Sequence, residues 1–152
     1  KRRHETFYAL FKVLVDKLVE LFGYCLIIDI HSYNYSRIDC ETPLFNLGTA
    51  NYKREDAHLF ARQWKQVLAE TRFPGIKIPV AENDVFKGDG YLLQWVQREF
   101  PETCLTVCID IKKIYCDEAT GEIYPVQFSR LTQILNKAIR STRLVVQEGR
   151  RA

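Results

Sequence analysis

No cysteine in this sequence stands in a CxxC pair, no apolar run approaches the roughly 20 residues needed to cross a bilayer, and no charged, apolar and small-residue succession opens the chain. A membrane span and a cleaved secretion signal are therefore not expected. The five cysteines, Cys25, Cys40, Cys104, Cys108 and Cys116, make an odd number, and at least three fall in runs that read as buried strands, which fits a reducing compartment better than a disulfide framework. The expected location is cytoplasmic. With 7 glycines and 5 prolines in 152 residues there is no low-complexity linker, and no internal repeat is visible. At 47% hydrophobic and 27% charged, residues 1–152 read as one domain able to bury roughly two thirds of its unfolded surface without cross-links.

A concentration of positive charge is also missing. The formal net charge is +3, but Lys1, Arg2, Arg3, Arg150 and Arg151 supply five of the 22 basic residues, leaving 17 basic against 19 acidic groups in residues 4–149. Nucleic-acid affinity comes mainly from clustered Lys and Arg displacing counterions, so the body of the domain is not read as a nucleic-acid surface.

Phe7, Leu10, Phe11, Leu14, Leu18, Leu21 and Phe22 recur at helical steps, and Gly23 stops that helix. The run Cys25–Ile30 is apolar and β-branched, the signature of a strand covered on both faces. It gives way to His31-Ser-Tyr-Asn-Tyr35, polar groups at the carboxyl end of a strand, where open α/β sheets place ligand sites. Residues 36–54 read as irregular, with Pro43, Asn46, Gly48 and Asn51 as turn markers. A second helix is expected from Glu55 to Thr71 with Phe60, Trp64, Val67 and Leu68 as its stripe. Residues 76–80 fit a short edge strand, Tyr91–Phe100 a helix, and Cys104–Ile111 a second central strand. Phe128, Leu131, Ile134, Leu135, Ala138 and Ile139 mark a closing helix. This order belongs to an α/β layer fold.

His31, with Asp29 on the same side of the pleat, could ligate a metal through one ring nitrogen while a neighbour fixes the other; the alternative is a histidine bonded to backbone. Asp110 lies in an otherwise apolar strand, where an ionised carboxylate costs several kcal/mol unless paired. It should meet Lys112, Lys113 or a metal, or lie at an exposed end; beside a metal-bound water it could be a general base. Glu55 and His58 share a helix face that reads as solvated. The Gly88-Asp-Gly90 loop ahead of a helix could offer N–H groups to an anion. Cys104 and Cys108 share a strand face but stand about 13 Å apart, so core packing explains them.

Four runs taken together resemble the N-formylglutamate amidohydrolase-like proteins, related to the zinc carboxypeptidases: Ile28-Asp-Ile-His-Ser-Tyr33, Phe45-Asn-Leu-Gly-Thr49, Glu82-Asn-Asp-Val-Phe-Lys-Gly-Asp-Gly-Tyr91, and Cys108-Ile-Asp-Ile-Lys-Lys-Ile-Tyr-Cys-Asp-Glu118. They keep the family's order between about residues 5 and 140. The resemblance implies an α/β fold with a mixed, largely parallel sheet flanked by helices on both faces, lacking the first strands. It implies zinc as cofactor, His31 as one ligand, Ser32 and Tyr33 beside the pocket, and Asn83, Lys87 and Gly88 close to substrate. Asp110 and Lys113 stand where the family usually has a Glu base and an Arg, and the family's first two zinc ligands come from a segment ahead of the helix that opens this chain.

The implied function is that of the C-terminal portion of a metal-dependent hydrolase acting on the amide bond of an N-acyl amino acid or related small molecule, with Asp110 as base and Lys113 attracting the substrate carboxylate. The rival is a catalytically inactive hydrolase-fold domain kept for contact with a neighbouring domain or partner chain.

Overall fold

The computed structural model describes residues 2–148, with side chains to 142. The spaced apolar residues form α1 (Arg2–Phe22), α2 (Glu55–Ala69), α3 (Tyr91–Glu99) and α4 (Pro125–Glu148); the apolar runs form β1 (Cys25–Tyr33) and β4 (Cys104–Lys112), joined by the short β2 (Phe45–Gly48) and β3 (Val80–Glu82). The sheet order is β1-β4-β2-β3. β1 runs parallel to β4 and β2 parallel to β3, while β2 and β4 are antiparallel, so the sheet is mixed.

Side chains alternate across a sheet, and β4 divides its residues accordingly. Val107, Ile109 and Ile111 join Phe45 and Leu47 of β2 against Phe60, Trp64 and Leu68 of α2 and Leu131 and Ala138 of α4. On the other face Cys25 and Cys104 pack with Val15 of α1 and with Trp95, Val96 and Phe100 in and after α3. Helices therefore cover both faces, and the fold is α/β. Trp64 is fully buried, and truncating such a side chain costs about 3–5 kcal/mol. Further along the second face, past these apolar contacts, β4 carries Cys108, Asp110 and Lys112.

Several expectations need correction. Among the described residues β1 lies at the edge of the sheet; its first half is covered on both faces as expected, Leu26 and Ile28 packing on one side and Cys25 and Ile27 on the other, while Ile30 is exposed by half. It also continues to Tyr33, so His31 lies inside a strand. β2 occupies part of the segment read as irregular: it is only four residues long, and Asn46 and Gly48 mask it as a turn, yet every position is buried. The short strand expected over 76–80 forms instead at Val80–Glu82. α1 presents Tyr8, Phe11, Val15, Leu18 and Val19 to the core. Phe7, Leu10, Leu14 and Leu21 of the expected stripe remain exposed, because the helix carries more apolar surface than the sheet beneath it covers.

Candidate functional site

Three neighbouring strands carry polar residues in one register. His31 of β1 pairs with Asp110 of β4, and Asp110 pairs with Asn46 of β2. Asp29, Cys108 and Gly48 occupy the same face two residues from these along their strands. His31 and Asp110 both lie toward the carboxyl ends of two parallel strands, where ligand sites of open α/β sheets are found.

Asp110 is buried, and neither lysine pairs with it. Lys112 Nζ lies over the Tyr35 ring and 3.4 Å from the Thr42 carbonyl, and Lys113 Nζ donates to Asn34 Oδ1 at 2.7 Å. The ion pair anticipated from sequence is replaced by an amide: Asn46 Nδ2 lies 3.2 Å from Asp110 Oδ2. Burial pushes the Asp110 carboxyl above the usual carboxylate range. The Asn46 hydrogen bond and the charge of His31 pull it back, and the negative charge of Asp29 adds to the rise.

Asn46, fully buried, also fixes the loop over the site. Its Nδ2 donates to the Phe86 carbonyl at 2.7 Å, and its Oδ1 accepts from the N–H groups of Asp84 and Val85 at 3.0 and 3.1 Å. The loop is pinned further where Gly88 meets Gly48: a Cβ on Gly88 would sit 2.5 Å from the Gly48 oxygen, and Gly88 adopts φ +70°. Only glycine satisfies both conditions.

The His31 ring is 57% exposed and places Nε2 2.9 Å from Asp29 Oδ1. Among the described residues no three His, Cys, Asp or Glu side chains group closely enough to hold a metal ion. The donors present here do not fit a catalytic zinc site of three protein ligands; a zinc held by His31 needs donors other than these.

The sequence profile of the N-formylglutamate amidohydrolase family matches residues 1–115. The chain belongs to that family. A comparison with curated proteins finds no match. Among solved structures the chain is similar to the N-formylglutamate amidohydrolase from Ralstonia eutropha JMP134, with a TM-score of 0.68 and 20% identity over 95% of this chain. It spans 53% of that protein, about half its length. This likeness shows the shared α/β fold.

The remaining residues singled out from this family's pattern are distributed around the His31–Asp110–Asn46 row. Tyr33 is buried, its hydroxyl donating to the Pro43 carbonyl and its ring centroid 5.8 Å from that of Phe86. Ser32 lies on the opposite face of β1, where it lines a cavity of about 330 Å³ with Ile30, Ile111, Tyr115, Phe128 and Leu131; His31 also borders it. Asn83, at φ +56°, uses its amide on Thr49, accepting from its N–H at 2.8 Å and donating to Oγ1 at 2.9 Å. Lys87 is exposed, and its carbonyl accepts from Ala50 N–H at 3.0 Å. Thus Asn83 and Gly88 shape the loop, while Lys87 presents its side chain outward.

Glu55 and His58 form no shared site: Glu55 accepts from Arg62, and His58 packs against Tyr52. The residue that sequence reasoning missed is Asn46. Its signal was present in the Phe45-Asn-Leu-Gly-Thr49 run, but a four-residue strand containing Asn and Gly carries no readable alternation.

No helix among the described residues is long and apolar enough to cross a membrane.

Proposed function

We propose that this chain contributes the base-bearing part of an N-formylglutamate amidohydrolase-like site that hydrolyses the amide bond of an N-acyl amino acid or a related small amide. Membership of the family supports the reaction class, and the observation that carries the assignment is the register of His31, Asp110 and Asn46 across three strands. Asp110 accepts a proton from the attacking water and returns it to the leaving amine. Its burial favours this role, because a carboxylate whose proton affinity is raised is a stronger base. Asn46 positions it, and Lys113 attracts a carboxylate of the substrate through N–H groups not given to Asn34. The cofactor proposed is zinc, with His31 as one ligand and further donors from outside the set described.

The test is hydrolysis of N-formyl-L-glutamate and of neutral N-acyl amino acids, with and without added zinc, followed by release of the free amine. Asp110→Asn should lower turnover by about 10²–10⁴-fold, the range supplied by a positioned general base. Once the further donors are supplied, zinc affinity, read by calorimetry, should stay within a few-fold in that variant and be lost in His31→Ala. Equal turnover by Asp110→Asn excludes the base assignment.

A second reading is favoured by the lack of three grouped metal donors among the described residues: a catalytically inactive hydrolase-fold domain that contacts a partner chain or neighbouring domain. Absence of amide hydrolysis once zinc and the further donors are supplied would select it.

A further inference from the structure

At the opposite end of the same two strands lies a second chemically distinctive pair. Cys25, the first residue of β1, stands in direct register with Cys104, the first residue of β4. Both are buried, on one face of the sheet, against Val15, Trp95, Val96 and Phe100. Neighbouring strands run about 4.8 Å apart, within the Cα separation of about 4.4–6.8 Å that a disulfide tolerates, but wider than its preferred Cβ separation of about 3.8 Å. Closure therefore needs a small approach of the two strands. β1 can make it, because among the described residues β1 is paired on one side alone, by β4.

We propose that Cys25 and Cys104 form a reversible disulfide that ties β1 to β4 when the protein meets a hydroperoxide. Cys104 has a route to solvent: it lines a cavity of about 210 Å³ together with Lys53, Arg54, Gln97, Glu102 and Thr106. Cys108, two β4 residues further on the same face beyond Thr106, is opposite Asp29 and has no thiol in register. The Cys104 thiol also hydrogen-bonds the sulfur of Cys25, which lowers the Cys25 thiol to about 7 and raises that of Cys104. The pair thus holds one sulfur in readiness as a thiolate and keeps the other within reach of it.

The reaction balances in two steps. One sulfur gives its electron pair to the hydroperoxide, whose O–O bond breaks, yielding a sulfenic acid and releasing an alcohol or water. The second sulfur then attacks the first, the S–O bond breaks, and water leaves with the disulfide formed. Two thiols are oxidised and one peroxide is reduced. A bond across neighbouring strands is strained, and strained disulfides are the readily reduced ones, so thiol reductants restore the dithiol.

The experiment exposes the native chain to hydrogen peroxide, alkylates remaining thiols in denaturant, and maps tryptic peptides without reduction. The expected product joins the peptide Leu18–Arg37 to Glu99–Lys112, two hydrogens lighter than the separate thiols and cleaved by dithiothreitol. Cys104 and Cys108 share the second peptide, so fragmentation must locate the bond at Cys104 with Cys108 alkylated. In Cys104→Ser the second step is removed, and dimedone should label Cys25 as a sulfenic acid. Recovery of both Cys25 and Cys104 as alkylated thiols while exposed Cys40 is oxidised would overturn the proposal. So would a bond that reaches Cys108, or one that forms equally well when the peroxide is added in urea.

Discussion

Asn46 Nδ2 reaches both the Asp110 carboxylate, at 3.2 Å, and the Phe86 carbonyl, at 2.7 Å, so one buried amide joins the floor of the candidate site to the loop above it. Asn46→Ala leaves Asp110, the Phe86 carbonyl and two loop N–H groups without this partner. Each unsatisfied buried group costs about 1–3 kcal/mol, and water admitted to the gap recovers part of it, so a net loss of about 3 kcal/mol is expected. Urea denaturation measures it. A loss below about 0.5 kcal/mol, the size of an ordinary surface substitution, would show that the amide is not a structural node.

The raised proton affinity of Asp110 also fixes a pH dependence. Its folded-state pKa lies above that of the unfolded chain, so its contribution favours folding when pH is below the ordinary carboxylate range and both states are protonated. That contribution is lost as pH rises through the folded-state value, because the buried group must then ionise. Each tenfold change in proton affinity corresponds to about 1.4 kcal/mol. Asp110→Asn removes the titration, so the variant should gain stability relative to the wild type between the ordinary carboxylate range and neutral pH, with little difference at pH 3. Parallel stability curves across this range would contradict the burial argument.

Lys113 tests the substrate side of the proposal. Its ammonium donates to the neutral Asn34 Oδ1 at 2.7 Å, and its charge also acts on the carboxylate of Glu118. A charged hydrogen bond to a substrate carboxylate is worth about 1.5–3 kcal/mol. Lys113→Ala should therefore raise KM for N-acyl amino acids bearing an acidic side chain by about 10- to 100-fold, leaving neutral amides nearly unaffected. Lys113→Arg, which preserves the charge, should recover most of the loss. An equal rise for acidic and neutral substrates would place Lys113 outside the recognition of charge.

Helical spacing located the four helices, and the apolar runs located β1 and β4, because long periodic segments reveal the element type, although in α1 the spacing did not tell which apolar residues are buried. The pairing of Asp29 with His31 was legible for the same reason, two residues apart on one pleat. The environment of Asp110 was not. Its neighbour Asn46 is 64 positions away, on a strand too short to show alternation, and arrives through antiparallel pairing that sequence spacing does not encode. The edge position of β1 was hidden too: Ile30 is as apolar as a central-strand residue yet half exposed, since composition reports what a strand could bury rather than how many neighbours it has.

The contact between Gly48 and Gly88 separates two costs that are usually mixed. Gly75 and Gly88 have nearly the same backbone conformation, φ +76° and +70°, but a Cβ on Gly75 meets nothing within 4 Å, whereas one on Gly88 meets the Gly48 backbone at 2.5–2.7 Å. Gly75→Ala should cost about 1–2 kcal/mol, the penalty of a left-handed alanine. Gly88→Ala adds a backbone collision that no flexible side chain can relieve, so its cost should exceed that of Gly75→Ala by about 2 kcal/mol or more. Because Gly88 sits in the loop bonded to Asn46, it should also lower turnover, while Gly75→Ala leaves turnover intact. Thermal melts and initial rates on the two variants measure both effects; equal stability losses would mean that the loop does not pack on β2 at this distance.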